Sequence, residues 1–352
     1  MKTKLNISSM EVYTPGRTFK RAEKLSSNEN PLGPSPLALT AIRDTLSEIH
    51  RYPDAACVKL RSKIGELWGL DADNVLAANG SDELLVLLAA ALIHPDCNAV
   101  SARQTFSQYR YAVRLFGGKM REAPLLFGFY NLPGMLELIN SDTRVVFLCN
   151  PNNPTGTYRG SQELKSFLRK VSSDIVIALD EAYADFADAE DFPNSKTLLE
   201  EFPNLLILRT FSKIYGLAGL RIGYAVGRKE LIGELAKAAM PFNVNSLAQT
   251  AARAALTDTE HRSNTLRLVH TEKKFLETEL NKRGIFNYPT QANFICFALE
   301  QEISSIWEWI AQRGIALREL SSFGLPKMAR YTLGSRTHNQ LLLKILDELP
   351  PC

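Results

Sequence analysis

One lysine and one arginine stand among glycines, hydroxyl groups and apolar residues in the stretch Arg209-Thr-Phe-Ser-Lys-Ile-Tyr-Gly-Leu-Ala-Gly-Leu-Arg-Ile-Gly-Tyr224. The almost continuous apolar run Asn204–Thr210 predicts a buried parallel strand, so Ser212 and Lys213 should lie just past its carboxyl end, where open α/β sheets bind ligands. Partial desolvation of a lysine favours its neutral amine, which can form a Schiff base with an aldehyde. Arg221 could bind a phosphate beside the Ser212 hydroxyl. An isolated Ser-x-Lys would more simply be part of a solvated loop, so the other motifs of the chain must decide between a loop and a ligand site.

Polar residues also follow two other predicted strands. Asp180 ends the apolar run that begins at Asp174, and burial of a carboxylate costs several kcal/mol unless it is paired. A protonated ring nitrogen would be a suitable partner, and its charge would make the ring an electron sink. Tyr183 could donate a hydrogen bond to an oxygen of the same ring. The apolar run Arg144–Cys149 leads into Asn150-Pro-Asn-Asn-Pro-Thr-Gly156, a rigid turn that can direct one amide toward a ligand.

A glycine turn precedes an apolar helix predicted from Ser81 to Ile93. Ser81 is a suitable N-cap, and Asp82 and Glu83 complement the positive end of the helix dipole. The amides at a helix N-terminus also bind phosphate. The residues alone therefore leave two interpretations open, a capped structural helix and a phosphate site that begins at Gly80.

These motifs resemble those of fold-type I pyridoxal-phosphate (PLP) aminotransferases, most closely the histidinol-phosphate aminotransferase family, over essentially the whole chain. The stretch from Thr210 to Tyr224 matches the family signature T-F-S-K-x-Y-G-L-A-G-L-R-x-G-Y throughout. The resemblance implies that Lys213 binds PLP covalently and works as general acid and base, with Asp180 and Tyr183 as the other catalytic residues. The cofactor-binding residues that it implies are Gly80, Ser81, Asp82, Phe106, Asn153, Asp180, Tyr183, Ser212, Lys213, Arg221 and, from the neighbouring subunit, Tyr52.

Further positions match the family's substrate-binding motifs. Tyr13 lies in Y-x-P-G-[KR] and Tyr52 in Y-P-D, although a Tyr-Pro alone would be a surface turn. Arg330 lies in R-x-T-x-G and Arg318 follows G-I-x-L, where single arginines would usually be surface charges. The substrate-binding residues that the resemblance implies are Tyr13, Tyr52, Asn153, Arg318 and Arg330.

The aromatic position of the family motif P-T-[FY]-S-x-Y is Phe106, which the resemblance implies stacks on the PLP ring. Gln104 replaces the family's proline in this motif. An aromatic residue at this place would otherwise be part of the core. The departure leaves the path of the loop and the stacking of Phe106 open.

Composition narrows the possible functions. The 352 residues include 41 basic and 38 acidic side chains, which are interspersed and give a net charge of +3, so neither nucleic acid nor an anionic membrane is the expected partner. The five cysteines and five histidines are scattered, and no metal site is predicted. No apolar run is long enough to cross a bilayer and the N-terminus lacks a signal-peptide pattern, so a cytoplasmic protein is expected.

The expected fold is α/β, a fold-type I large domain with a mostly parallel seven-stranded sheet flanked by helices, plus a smaller α+β domain. The predicted boundaries are residues 1–35 for an N-terminal arm and loop, 36–245 for the large PLP-binding domain and 246–352 for the small domain. Within the small domain, strands are predicted at Asn293–Phe297, Gly314–Arg318 and Ala329–Gly334.

The resemblance implies a homodimer with shared active sites that interconverts histidinol phosphate plus 2-oxoglutarate and imidazole-acetol phosphate plus glutamate, a step of histidine biosynthesis. The main alternative is an aromatic (phenylalanine or tyrosine) aminotransferase on the same scaffold. A decarboxylase of amino-acid phosphates fits less well, because the unbroken Y-G-L-A-G-L-R-x-G-Y is typical of the aminotransferases. A regulator without catalytic activity would be expected to have lost Lys213 or Asp180, and both are present.

Overall fold

The computed structural model describes residues 3–10, 12, 19 and 21–350. The strands of this part of the chain are β1 (Glu23–Lys24), β2 (Val75–Ala78), β3 (Asn98–Ala102), β4 (Lys119–Ala123), β5 (Thr143–Cys149), β6 (Val176–Asp180), β7 (Leu205–Thr210), β8 (Gly223–Val226), β9 (Phe294–Ala298), β10 (Ile315–Ala316), β11 (Arg318–Glu319) and β12 (Met328–Thr332).

The helices of the same part are α1 (Leu5–Ser8), α2 (Pro36–Thr45), α3 (Val58–Trp68), α4 (Ser81–Leu92), α5 (Gln108–Leu115), α6 (Leu132–Leu138), α7 (Ser161–Leu168), α8 (Ser195–Glu201), α9 (Lys229–Ala238), α10 (Ser246–Ala255), α11 (Thr259–Lys282), α12 (Ile303–Gln312) and α13 (Arg336–Asp347). None of these helices is long and apolar enough to cross a membrane.

The large sheet has seven strands in the order β2-β8-β7-β6-β5-β3-β4. All neighbours are parallel except β8, which is antiparallel to both β2 and β7. This confirms the predicted mostly parallel seven-stranded sheet. The apolar runs that predicted β5, β6 and β7 lie at the centre, where helices cover both faces. Strand β4 is an edge strand with the mixed sequence Lys-Met-Arg-Glu-Ala, so no apolar run marks it.

The topology brings the carboxyl ends of several strands to one edge of the sheet. Strand β6 lies between β5 and β7, and Asp180 pairs in register with Cys149 and Leu208. The turns after β5 and β7 therefore flank the end of β6. Strands β2 and β3 run in the same direction as these three, so the segments that follow them also reach this edge.

A second, smaller sheet has the order β11-β12-β9 and is antiparallel. The prediction of a single strand over Gly314–Arg318 is wrong. The segment divides into β10, which pairs in parallel with β1, and β11, which pairs with β12. Because the pairing partner changes at Leu317, the segment 315–319 pairs with β1 of the N-terminal segment on one side of that residue and with the small sheet on the other.

Buried apolar residues form separate clusters. One surrounds the central strands of the large sheet, and another joins β9, β12 and helices α11 to α13 with Leu25, Tyr183 and Ile214. A third lies under α2, α3 and α10 and is rich in alanine. Helix α10 thus packs against α2, although the predicted boundary at residue 246 assigns it to the small domain. The boundaries 1–35, 36–245 and 246–352 stay predictions.

Candidate functional site

A cavity of about 380 Å³ lies where the carboxyl ends of β5, β6 and β7 meet. Most of the predicted cofactor-binding residues line it. These are Ser81, Asp82, Phe106, Asn153, Asp180, Tyr183, Ser212, Lys213 and Arg221. The structure therefore brings together side chains from five separate segments of the chain.

Lys213 follows β7 and directs its amine into the cavity. Its Nζ donates a hydrogen bond to the backbone carbonyl of Ser27 at 2.9 Å and lies 5.7 Å from the centre of the Tyr183 ring. Burial, and then the positive charge of Arg330, lower the pKa of Lys213 to about 8. A substantial fraction of this lysine is a neutral amine near physiological pH, as a nucleophile or a general base requires.

The Asp180 carboxylate is 3% exposed at the floor of the cavity. It accepts hydrogen bonds from the Tyr109 hydroxyl at 2.7 Å and from the backbone N–H of Ala182 at 3.1 Å. Burial raises the pKa of Asp180 to about 6, and these two donors oppose the shift. Asp180 has no ion pair with another described residue, and Arg209 of the neighbouring strand β7 pairs with Glu181 at 2.7 Å instead. A ligand that carries a positive charge would therefore be a suitable partner for Asp180.

Ser81 and Asp82, at the start of α4, line the cavity. The N-cap of this helix is Gly80 rather than Ser81, and no side chain caps it, so the prediction of Ser81 as N-cap is wrong. Gly80 has φ +87°, and a Cβ there would lie 2.7 Å from Nη2 of Arg221. A side chain at position 80 would thus displace the arginine. Arg221 also pairs with Asp82 at 3.1 Å, and Ser212 lines the same cavity.

The cavity is also lined by Asn153, Tyr183 and Phe106. The Asn153 amide oxygen accepts a hydrogen bond from Nη1 of Arg330, and the Tyr183 hydroxyl accepts one from Nδ2 of Asn28 at 2.9 Å. Phe106 is partly buried and packs edge-on against Tyr109. Gln104 holds the loop that carries Phe106, because its side-chain oxygen accepts a hydrogen bond from the backbone N–H of Leu125 at 3.2 Å. The departure from the family's proline therefore leaves Phe106 at the cavity.

A second chamber of about 170 Å³ adjoins the first and shares Lys213 and Tyr183 with it. Arg318 and Arg330 both line this chamber. They are register partners on β11 and β12, so their side chains lie on the same face of the small sheet. Like charges directly opposite each other are destabilising, and a bound anion would offset that repulsion. The chamber is thus suited to an anionic group.

Tyr52 lines neither chamber. Tyr52 is 82% exposed and stacks on Phe242, with ring centres 4.7 Å apart. Tyr13 lies outside the described residues. The roles of all the predicted residues stay predictions.

Sequence reasoning missed other contacts of the site. Tyr109 was part of the matched motif that contains Phe106, but nothing in the sequence indicated its hydrogen bond to Asp180. The carbonyls of Ser26 and Ser27 accept hydrogen bonds from Arg330 and Lys213, and Asn28 contacts Tyr183. These three residues lie in the predicted N-terminal arm and loop (residues 1–35), for which the sequence analysis assigned no contacts with Lys213, Arg330 or Tyr183.

The chain resembles known proteins over most of its length. Residues 20–347 match the model of the family described as aminotransferase class I and II. A histidinol-phosphate aminotransferase of Geobacillus sp. (strain WCH70) is 39% identical over 99% of this chain and 98% of the relative. A histidinol-phosphate aminotransferase 2 of Pseudomonas fluorescens (strain Pf-5) is 41% identical over 93% of this chain and 88% of the relative.

A solved structure has the same fold. The crystal structure of histidinol-phosphate aminotransferase from Sinorhizobium meliloti in complex with pyridoxal-5'-phosphate aligns with a TM-score of 0.87. It covers 99% of this chain and 98% of the other, at 24% sequence identity. At that identity the likeness establishes the fold alone.

Proposed function

Because the chain belongs to the class I and II aminotransferase family, we propose that it is a PLP-dependent histidinol-phosphate aminotransferase. It would transfer an amino group from histidinol phosphate to 2-oxoglutarate, giving imidazole-acetol phosphate and glutamate, as a step of histidine biosynthesis. The observation that carries the proposal is the pair of connected chambers, one with Lys213 and Asp180 and the other with Arg318 and Arg330. The names of the relatives support the choice of substrate.

The residues of the larger chamber fit PLP. The buried Asp180 carboxylate, which has no ion pair among the described residues, suits a protonated pyridine nitrogen. The cradle at Gly80, with Arg221 and Ser212 beside it, suits a phosphate. Asn153 and Tyr183 would hold the ring oxygen. When bound, PLP would supply an electron sink for the charge that develops at the substrate carbon.

Lys213 would move the proton of the reaction. With a pKa of about 8, its Nζ can take a proton from the substrate carbon as an amine and return it as an ammonium group near neutral pH. The hydrogen bond to the Ser27 carbonyl limits the directions in which the amine can lie. Asp180 would act only through its negative charge, which keeps the proton on the ring nitrogen.

The smaller chamber would select the substrate. Histidinol phosphate has no carboxylate, so its phosphate must lie where glutamate places a carboxylate. Arg330 is 7% exposed and could form a bidentate pair with either group. Arg318 makes no hydrogen bond or ion pair with another described residue, so its guanidinium can serve the additional charge of a phosphate. An aromatic amino acid would gain less from this second cation.

We also propose a cytoplasmic homodimer whose subunits share active sites. The exposed stack of Tyr52 on Phe242 supports this arrangement, because a large aromatic surface outside its own cavity is suited to an interface. Tyr52 would then contact the phosphate of PLP held by the other subunit. Tyr13 is proposed to help close the substrate pocket.

Two measurements test the function. Borohydride reduction of the PLP-treated protein, followed by peptide mapping, should place the label on Lys213, and Lys213→Ala should lose transamination while it still binds PLP. A label on another lysine would contradict the cofactor site. The kcat/KM of the wild type for histidinol phosphate should exceed that for phenylalanine and tyrosine, with 2-oxoglutarate as acceptor. The reverse preference would favour an aromatic aminotransferase.

A further inference from the structure

Asn28 connects the Tyr183 hydroxyl to the small sheet. The two carbonyls before it, of Ser26 and Ser27, accept hydrogen bonds from Arg330 and Lys213, whereas Asn28 uses its side chain, donating from Nδ2 to the Tyr183 hydroxyl at 2.9 Å. Asn28 is 1% exposed and has a left-handed backbone with φ +57°. A buried residue in this conformation must be held by its contacts.

Thr332 of β12 fixes the orientation of the Asn28 amide. The backbone N–H of Asn28 donates to Oγ1 of Thr332 at 2.9 Å, and the Thr332 hydroxyl donates back to Oδ1 of Asn28 at 3.3 Å. An amide has one acceptor end and one donor end. Because Oδ1 receives the proton of Thr332, Nδ2 must face Tyr183.

The Tyr183 hydroxyl therefore accepts a hydrogen bond from Asn28 and retains its own proton. Among residues 21–350, no acceptor for that proton is found, and Tyr183 lines both chambers. A phenol has a single proton to donate. The remaining direction for this proton is into the cavity.

We propose that Asn28, oriented by Thr332, is a positioning residue that makes the Tyr183 hydroxyl a donor to the group bound in the cavity. The inference rests on the proposed function, because the acceptor is taken to be the ring oxygen of PLP. Its direct consequence is that the polarity of the Tyr183 hydrogen bond is set by residues that do not contact that oxygen.

The charged groups around Tyr183 do not set this polarity. Arg330, Asp180, Lys213 and the Cys149 thiol face the tyrosine, and burial raises the pKa of Tyr183 to about 12, so the hydroxyl keeps its proton near neutral pH. Substitutions at Thr332 leave all these charges in place. Thr332 is 2% exposed and lines neither chamber, so a change there can reach the bound cofactor only through its neighbours.

The test compares Thr332→Val, which has nearly the same shape but no hydroxyl, with Thr332→Ser, which keeps the hydroxyl. The readout is the pH midpoint of the absorbance change of bound PLP. A donor to the ring oxygen stabilises its anionic form, so loss of the donor favours the protonated chromophore. We expect Thr332→Val to raise the midpoint by about one pH unit, the effect of one charge-assisted hydrogen bond, and Thr332→Ser to match the wild type.

A double variant shows whether the effect passes through the tyrosine. Tyr183→Phe should raise the midpoint by itself, and addition of Thr332→Val should then change nothing. A wild-type midpoint in Thr332→Val overturns the inference, and so does a shift of the same size in the Tyr183→Phe background.

If Thr332→Val does not fold, the variant Asn28→Asp tests the inference instead. An aspartate tolerates the same backbone, and its carboxylate would capture the Tyr183 proton.

Asn28→Asp should raise the midpoint at least as much as Tyr183→Phe, and an unchanged midpoint would overturn the inference. The absorbance spectrum of the wild type distinguishes failure of this inference from failure of the proposed function. A wild-type protein without any absorbance band of bound PLP contradicts the proposed function, and the inference falls with it. A normal wild-type transition with unaffected variants contradicts the role of Asn28 alone.

Discussion

The Tyr109 hydroxyl donates a hydrogen bond of 2.7 Å to Oδ2 of Asp180 below the cavity. The tyrosine is 1% exposed, and its ring stacks on Phe147 with centres 4.9 Å apart. Burial raises the pKa of Tyr109 well above its ordinary value, so the phenol stays protonated and serves as the donor. This hydrogen bond favours the charged carboxylate and opposes the effect of burial on Asp180.

We expect Tyr109→Phe to weaken PLP binding by about ten- to a hundredfold, because one hydrogen bond to a charged group contributes roughly 1.5–3 kcal/mol. The pKa of Asp180 would rise further, and more of the carboxyl group would be neutral when the ring nitrogen needs a negative charge. The measurement is the Kd of the apoprotein for PLP. Tyr130→Phe is the matched control, because it removes a buried phenol hydroxyl that contacts Thr105 and the backbone N–H of Cys149 rather than Asp180. Equal affinities of the two variants would show that Tyr109 does not act on Asp180.

Asp180→Asn should lower the transamination rate by orders of magnitude while the fold is retained. The uncharged amide cannot keep the proton on the ring nitrogen, so the electron sink is lost. Single-turnover absorbance measurements with saturating PLP would separate this effect from weaker binding. Activity comparable to that of the wild type would mean that Asp180 has only a structural role.

Asp180→Asn should also stabilise the apoprotein against unfolding above pH 6. The pKa of Asp180 is about 6 in the folded protein against 3.8 for an ordinary aspartate, so the folded state binds a proton more tightly than the unfolded state. The stability that the protonated Asp180 carboxyl contributes to the folded state is fully present below about pH 4 and is lost as the pH rises to about 6. Above pH 6, the free energy of unfolding of apo Asp180→Asn should exceed that of the wild type by up to about 3 kcal/mol. Urea unfolding at pH 4.5 and 7.5 checks this, and a pH-independent difference would contradict it.

The central part of the fold could be predicted from the sequence because fully buried strands leave continuous apolar runs. Strands β5, β6 and β7 are such runs, and the polar residues at or just after their carboxyl ends are placed by the common direction of the strands. Edge strand β4 and the two-residue strands β10 and β11 lack that pattern. Their pairing depends on partners far away in the chain, which periodicity does not report.

The candidate site could be predicted only in part for a similar reason. Lys213, Asp180 and Arg330 were identified because their types and motifs indicate chemistry. Tyr109 and Asn28 act through hydrogen bonds to residues 71 and 155 positions away in the chain, and a phenol or an amide has many possible partners. Their contacts follow from tertiary packing rather than from spacing.

Tyr52 is predicted to act in the active site of the partner subunit. A Tyr52→Phe protomer and a Lys213→Ala protomer should each have little activity alone, whereas a hybrid dimer has one site with both native residues. Mixing them should recover up to about a quarter of the wild-type activity, because half of the dimers are hybrids with one native site each. The measurement needs a separate demonstration of subunit exchange. If exchange occurs and no activity returns, the sites are not shared.

The last prediction concerns the two arginines that are register partners on β11 and β12. Arg330 donates hydrogen bonds to Asn153 and to the Ser26 carbonyl, so its loss disturbs the cofactor side as well as the anion site. Arg330→Leu should therefore reduce the use of every substrate. Arg318 has no hydrogen bond or ion pair with another described residue, so its removal should affect chiefly the ligand that needs a second cation.

We expect Arg318→Leu to lower kcat/KM for histidinol phosphate by about ten- to a hundredfold, the effect of one charge-assisted hydrogen bond, and to change that for glutamate and phenylalanine much less. Arg313→Leu is the control for a general loss of positive charge, because Arg313 packs on Trp309 and does not line the smaller chamber. The three substrates should be assayed with the same enzyme preparations. An equal loss for all of them in Arg318→Leu would show that Arg318 does not distinguish a phosphate from a carboxylate, since a residue that binds the second charge of the phosphate must discriminate between the two groups.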